Sequence, residues 1–192
     1  LPEGLDVVNF CVTGSEAVEI GMQMAVGVTG KFDLISVIRG LHGGSLGVES
    51  MTTIGGPRRA NLGPLMIPAK SAAILPPLCY RCPINLEYPS CDIRCLKTSQ
   101  EIIESVSSSE IAGFLSETMM VAGGMIVPPE EWLPRLRKLA DHHEALLLLD
   151  EAQFAPGKTG KMWAFEHYDV TPDIVAFAKG MSASSEFRSP LV

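Results

Sequence analysis

The run Ala145-Leu146-Leu147-Leu148-Leu149 ends in Asp150 and Glu151, with Ala152 and Gln153 after them. Lys179 stands 29 residues past Asp150, at the end of a second apolar run, Ile174 to Ala178. An unbroken apolar run closed by acids reads as a buried strand whose carboxyl end delivers charge to a crevice, which is where open α/β sheets keep their ligands. A lysine beside an apolar strand can form a Schiff base when desolvation lowers its pKa, and a fixed carboxylate is the partner that a pyridinium nitrogen requires. Amine and carboxylate together point to pyridoxal phosphate.

Thr13-Gly14-Ser15 follows an apolar stretch and opens a helical pattern, so its amides and two hydroxyls would form an anion site at a helix N-terminus. An ordinary capping turn is the alternative. For Asp150 the alternative to a ring-nitrogen partner is a strand-end carboxylate that caps the next helix. Gln153 could reach a cofactor's ring hydroxyl or hold its own loop, and Glu151 could be structural. His42, between Leu41 and Gly43, is a candidate pocket residue. The run His142-His143-Glu144 lacks the i, i+4 histidine spacing of a helical metal site and reads as a solvated helix end. Cys79, Cys82, Cys91 and Cys95 have short spacings that could hold zinc or an iron–sulfur cluster, but the intervening prolines and unpaired knuckles favour free thiols, and no metal is expected.

These residues need a scaffold. Asp6 to Val12 reads as a strand, and Ala17, Ile20, Gly21, Met24 and Val28 recur at helical spacing after the Thr13 turn. A strand at Leu34 to Ile38 leads into Arg39 to Gly44, then a helix or loop before Gly55-Gly56-Pro57. Residues 64–95 are rich in proline and carry four of the five cysteines, which predicts a surface excursion and no sheet strand. Beyond it come a helix around Ser99 to Val106, a strand at Ile111 to Leu115 and an amphipathic helix marked by Trp132, Leu136, Leu139, Ala140 and His143. The strand at Ala145 to Leu149, the turn Pro156 to Gly160, an aromatic stretch Met162 to Tyr168 and the strand Asp173 to Ala178 complete the alternation. The expected fold is α/β, a mostly parallel sheet with helices on both faces.

A chain of 192 residues, 46% hydrophobic and 19% charged, is globular and long enough for one sizeable core. The net charge of −7 is spread out and no basic cluster interleaves with aromatics, which argues against nucleic acid as a partner. No run approaches the length of a membrane span and no leader is visible. Five cysteines is an odd number and no Asn-x-Ser/Thr acceptor is present, so a reducing, cytoplasmic setting is expected.

The chain resembles the class III (subgroup II) pyridoxal-phosphate aminotransferases, of the fold type I shared with aspartate aminotransferase, from about Asn9 to Lys179. The resemblance is carried by Thr13-Gly-Ser-Glu-Ala17, His42-Gly43, Glu117 with Gly123-Gly124, Asp150-Glu-Ala-Gln153, Thr159-Gly160 and Thr171-Pro-Asp-Ile174 leading to Lys179. The Asp-Glu-Ala-Gln and Thr-Pro-Asp-Ile forms look most like dialkylglycine decarboxylase and its neighbours. The resemblance implies a three-layer α/β/α large domain, with residues 1–192 as its central part and with the amino-terminal segment and the small carboxyl-terminal domain outside the chain.

It also implies that Thr13, Gly14 and Ser15 bind the cofactor phosphate, Asp150 pairs with the pyridine nitrogen, Gln153 approaches the ring oxygen and Lys179 holds the cofactor in a Schiff base. His42 lies in the cofactor pocket and Glu117 is a substrate-side acid. Leu41 stands where the family usually has a ring-stacking aromatic, and Thr118 where it has a proline. The implied activity is transfer of an amino group from an amino acid or amine to a keto acid by a homodimer. Decarboxylating transamination and a non-catalytic relative of the same fold are the alternatives.

Overall fold

A computed structural model describes residues 1–54 and 72–181. Among the described residues five strands form one sheet: β1 (Asp33–Val37), β2 (Ala72–Ile74), β3 (Ile111–Glu117), β4 (Leu146–Asp150) and β5 (Ile174–Ala176). Their order across the sheet is β2-β1-β3-β4-β5, and every pairing is parallel. The longer strands are almost wholly buried, as expected when helices cover both faces of a parallel sheet.

The strands feed two separate cores, one on each face, and a register shift between β1 and β3 at Asp33/Leu34 lets Ala112 and Phe114 face opposite sides. Ile35, Val37, Phe114, Leu147 and Leu149 face one core with Trp132, Leu133 and Leu136. Leu34, Ala112, Leu115 and Leu148 face the other with Val18, Met22 and Ala25. A strand places successive side chains on opposite faces, so an uninterrupted apolar run such as Leu146 to Leu149 supplies both cores at once.

Helix α1 (Gly14–Thr29) packs on β3, β4 and β5, and the short α2 (Leu46–Met51) packs against α1. On the opposite face, α3 (Arg94–Val106) covers β2 and α4 (Trp132–His142) covers β4. The sequence predicts where α1 begins. Thr13 caps it, its Oγ1 accepting from the Glu16 amide at 3.1 Å, while the Glu16 carboxylate accepts from the Val12 amide at 2.7 Å. Gly30 ends the helix at φ 68°, a left-handed conformation that glycine adopts without steric cost.

Two expectations are corrected. Asp6 to Val12 forms no strand; among the described residues nothing pairs with it, and Val7, Phe10 and Val12 are exposed. A β-propensity run is a strand only where a neighbour supplies hydrogen bonds. The proline- and cysteine-rich excursion does contain a sheet strand, because Ala72 to Ile74 pairs with Ile35 to Val37. Its position at the sheet edge explains the tolerance for Pro76 and Pro77 directly after it. Smaller shifts start α3 at Arg94 and end β5 at Ala176. The turn at Gly55-Gly56-Pro57, residues 64–71 of the excursion and the tail after Met181 lie outside the described residues.

Candidate active site

In the order β2-β1-β3-β4-β5 the direction in which strands are added switches between β1 and β3, since β1 continues to β2 on one side and has β3 on the other. Open α/β sheets bind ligands beyond the carboxyl ends of their strands at such a point. There β1 runs into residues 38–44, β3 ends at Glu117, β4 ends at Asp150 and β5 leads to Lys179.

Asp150 is 4% exposed. Its Oδ2 lies 3.0 Å from His42 Nδ1 and its Oδ1 accepts from the Ala152 amide at 3.0 Å. A carboxylate only accepts, so this contact puts a proton on Nδ1 and leaves lone pairs on Asp150 for a further donor. His42 Nε2 is buried with no hydrogen-bond partner among the described residues. A Cβ on Gly40 would come within 2.8 Å of that nitrogen, so Gly40 leaves the room in which the ring stands.

The segment that carries His42 is tied down by side-chain oxygens. The Gly40 amide donates to Thr53 Oγ1 at 3.0 Å, the Leu41 amide to Glu117 Oε1 at 2.9 Å, the His42 amide to Thr52 Oγ1 at 3.1 Å and the Gly44 amide to Ser15 Oγ at 3.1 Å. Gly43, at φ 146°, lies so close to Ser15 that a Cβ there would overlap the Ser15 hydroxyl. Ser15 therefore joins this loop to the first turn of α1. Gly14 packs its Cα near Ala178 and Ala152, which draws the α1 N-terminus toward the ends of β4 and β5.

Glu117 is the register partner of Asp150 on β3 and is 3% exposed. Burial pushes its carboxyl up to about 7, against the opposing pull of the Leu41 amide and of His42. Lys179 is exposed and begins a short 3-10 turn three residues past Ala176, which pairs with Asp150. Gln153 is half-buried in the turn after β4.

Glu151 is fully buried and finds partners of its own. Its carboxylate accepts from the Thr118 hydroxyl, from the Ala164 amide at 2.8 Å and from the Phe165 amide at 3.2 Å, which ties the 3-10 turn Ala164–Tyr168 to the end of β4. Its pKa is raised, chiefly by burial. Glu151 is a structural residue, and Thr118 supplies one of its three donors. Thr118→Val keeps the shape and removes that donor, so unfolding in urea should show a loss of about 1–3 kcal/mol. An unchanged midpoint would mean that Thr118 does not contribute to holding Glu151.

Four cysteines, Cys79, Cys82, Cys91 and Cys95, line one apolar pocket with Tyr88 and Trp132, and all five cysteines are free. Burial pushes the Cys95 thiol up to about 11. Among the described residues no three Cys, His, Asp or Glu side chains are placed to hold a metal ion. No helix among them is long and apolar enough to cross a membrane.

Sequence reasoning placed Asp150, Lys179 and the α1 N-terminus at one end of the sheet. It missed the His42–Asp150 contact, which spans 108 residues, and the four-oxygen tether, whose contacts span 10 to 76, since such contacts follow from the fold and leave no local signal.

A donor set of this kind suits an aldehyde-bearing pyridine phosphate. It offers a carboxylate with spare lone pairs, helix amides that attract an anion and a primary amine. The parallel sheet, with helices on both faces and acids at its carboxyl end, is an α/β domain with a candidate ligand site at its switch point. The aminotransferase class-III family matches residues 1–188, and the chain belongs to that family.

The chain is 38% identical over 192 residues to the adenosylmethionine-8-amino-7-oxononanoate aminotransferase of Geobacter sulfurreducens, covering 95% of this chain and 41% of that protein. It is 33% identical over 174 residues to the leucine/methionine racemase of Thermococcus litoralis, covering 90% of this chain and 38% of that one. An amine transaminase from an uncultivated Pseudomonas species, solved in its PLP-bound internal aldimine form, superposes with a TM-score of 0.77 at 31% identity over 84% of this chain and 37% of that chain. An (S)-enantioselective omega-transaminase from Thermomicrobium roseum does so with a TM-score of 0.80 at 29% identity, over 93% and 40%. The chain thus spans about two fifths of the length of these relatives.

Proposed function

We propose that the protein carrying this chain transfers an amino group between an amino acid or amine and a keto acid, with pyridoxal phosphate held by the residues described above. The observation that carries this reading is the buried Asp150, braced by His42 at 3.0 Å, on the strand next to the one that leads to Lys179. Bound there, the cofactor supplies an electron sink for the carbanion at the substrate α-carbon.

Each residue then has a task. Asp150 holds a proton on the ring nitrogen, and His42 holds Asp150 in place. The amides of Gly14 and Ser15 at the α1 N-terminus bind the phosphate, assisted by the dipole of a 16-residue helix. Thr13 sets that helix end by capping it. Gln153 offers its amide to the ring oxygen, and Leu41 gives the ring an aliphatic face. The Lys179 amine holds the cofactor and then carries the proton that leaves the α-carbon.

Racemisation of an amino acid is a second reading, favoured by the match to a racemase. It needs the same Asp150 and Lys179 and differs in where the α-proton returns. Decarboxylating transamination, suggested by the Asp150-Glu-Ala-Gln153 form, is a third variant of the same site. We further assign the protein to the cytoplasm, which the five free cysteines support, and to a homodimer, which the exposed Val7, Phe10 and Val12 before α1 support.

The test is a panel of amino donors given to the cofactor-loaded protein with a keto acid acceptor. Formation of a new amino acid is the expected result. An inverted enantiomer without a new keto acid would replace transamination by racemisation, and release of carbon dioxide would make it decarboxylating. None of the three with any donor would contradict the proposed activity.

A further inference from the structure

Glu117 accepts two backbone amides, from Leu41 at 2.9 Å through Oε1 and from Val121 at 3.4 Å through Oε2. Each of its two oxygens is thus already engaged by the backbone of its own chain. The amide it holds more closely belongs to the residue before His42, whose ring meets Asp150 108 residues away. We propose that Glu117 is a positioning residue: as a hydrogen-bond acceptor for Leu41 it fixes the 40–44 loop and so sets the His42 ring against Asp150. This is a different task from the substrate-side one that the family resemblance implies. It rests on the proposed function only for the meaning of Asp150; the tether itself is a property of the chain without cofactor.

The geometry separates the acceptor from the charge. A glutamine at 117 keeps an oxygen for the closer Leu41 amide and loses both the charge and the longer contact to Val121, toward which its NH2 would turn. An aspartate keeps the charge and, one methylene shorter, withdraws from the Leu41 amide. Both substitutions are small enough to leave the β3 strand in place. The tether has other members, Thr52, Thr53 and Ser15, so loss of one acceptor loosens the loop without releasing it.

Amide hydrogen exchange on the cofactor-free chain, followed at Leu41 and His42 with Ile35 in β1 as the core reference, reads the tether directly. Glu117→Gln should exchange like the wild type. Glu117→Asp should exchange faster at Leu41 and His42 by on the order of tenfold, with Ile35 unchanged. Pyridoxal phosphate affinity, measured by absorbance titration, should fall in the same order, weaker in Glu117→Asp and near wild type in Glu117→Gln.

Protection that follows charge, with Asp like wild type and Gln loosened, would overturn the proposal. So would wild-type protection in both variants, or an acceleration shared equally by Ile35. A chain that shows the expected exchange pattern yet binds no pyridoxal phosphate would refute the proposed function and leave the tether standing.

The buried acid also gives a pH signature. The neighbouring titratable groups are Asp150 and His42, with the Leu41 and Val121 amides as its other polar contacts. The folded pKa of about 7 is above the ordinary 4.5, so the folded state keeps this proton where the unfolded state has lost it. Glu117 therefore favours the fold fully below about 4.5, and that contribution is lost as pH rises through about 7. Replacing Glu117 by Gln should flatten the stability profile in this window. A profile that declined just as steeply in the variant would remove Glu117 as a buried, folded-state acid.

Discussion

Lys179→Ala is expected to abolish the visible absorption band of the cofactor-loaded protein and to lower turnover by roughly 10²–10⁴-fold, because the amine both holds the cofactor and carries the α-proton. The fold should survive the change. Lys179 is exposed at the start of a 3-10 turn, outside both cores, and its removal leaves no buried group without a partner. Circular dichroism and the melting temperature should match the wild type, which separates loss of chemistry from loss of structure. Supply of an external primary amine should restore part of the turnover, since the missing group is a base of small size. A variant that kept the band would show that another amine holds the cofactor.

The second large effect falls on Asp150. Asp150→Asn preserves an oxygen for the Ala152 amide and the volume of the side chain, and removes the charge opposite His42 and the ring nitrogen. Truncating one member of a buried hydrogen-bonded charge pair costs about 2–5 kcal/mol, roughly 30-fold to several thousand-fold in the function that depends on it. The loss should appear in kcat more than in KM, because a protonated ring nitrogen matters most when negative charge develops at the α-carbon. A variant with wild-type kcat would mean that the ring nitrogen is not served by this carboxylate. His42→Ala should give a smaller change in the same direction, since Asp150 would keep its bond to the Ala152 amide.

The sequence exposed the parts of this site that are local. Leu146 to Leu149 is apolar at every position because β4 feeds both cores, and a run of that kind ended by Asp150 has few other readings. Thr13 and Glu16 name the start of α1 because capping is a contact between neighbours in sequence. Distant partners left no such trace. The alignment of Glu117 with Asp150, and of both with the loop around His42, is set by strand order and register.

Thr118 is a residue whose task the sequence does not reveal. It stands at the place of a usual proline, and its hydroxyl bonds the buried Glu151, a role that no neighbouring residue announces. Asp6 to Val12 shows the converse error, since its β-propensity is real but no described strand stands beside it. The short β2 was hidden by its proline-rich surroundings, which an edge strand accommodates.

The central claim is that Lys179 and the site around Asp150 hold pyridoxal phosphate. The most direct test is to add the cofactor to the purified chain, reduce with borohydride and map the modified peptide. Stoichiometric label on Lys179, with disappearance of the visible band, is the predicted result. Label spread over surface lysines such as Lys97 and Lys138, or no label at all, would contradict it.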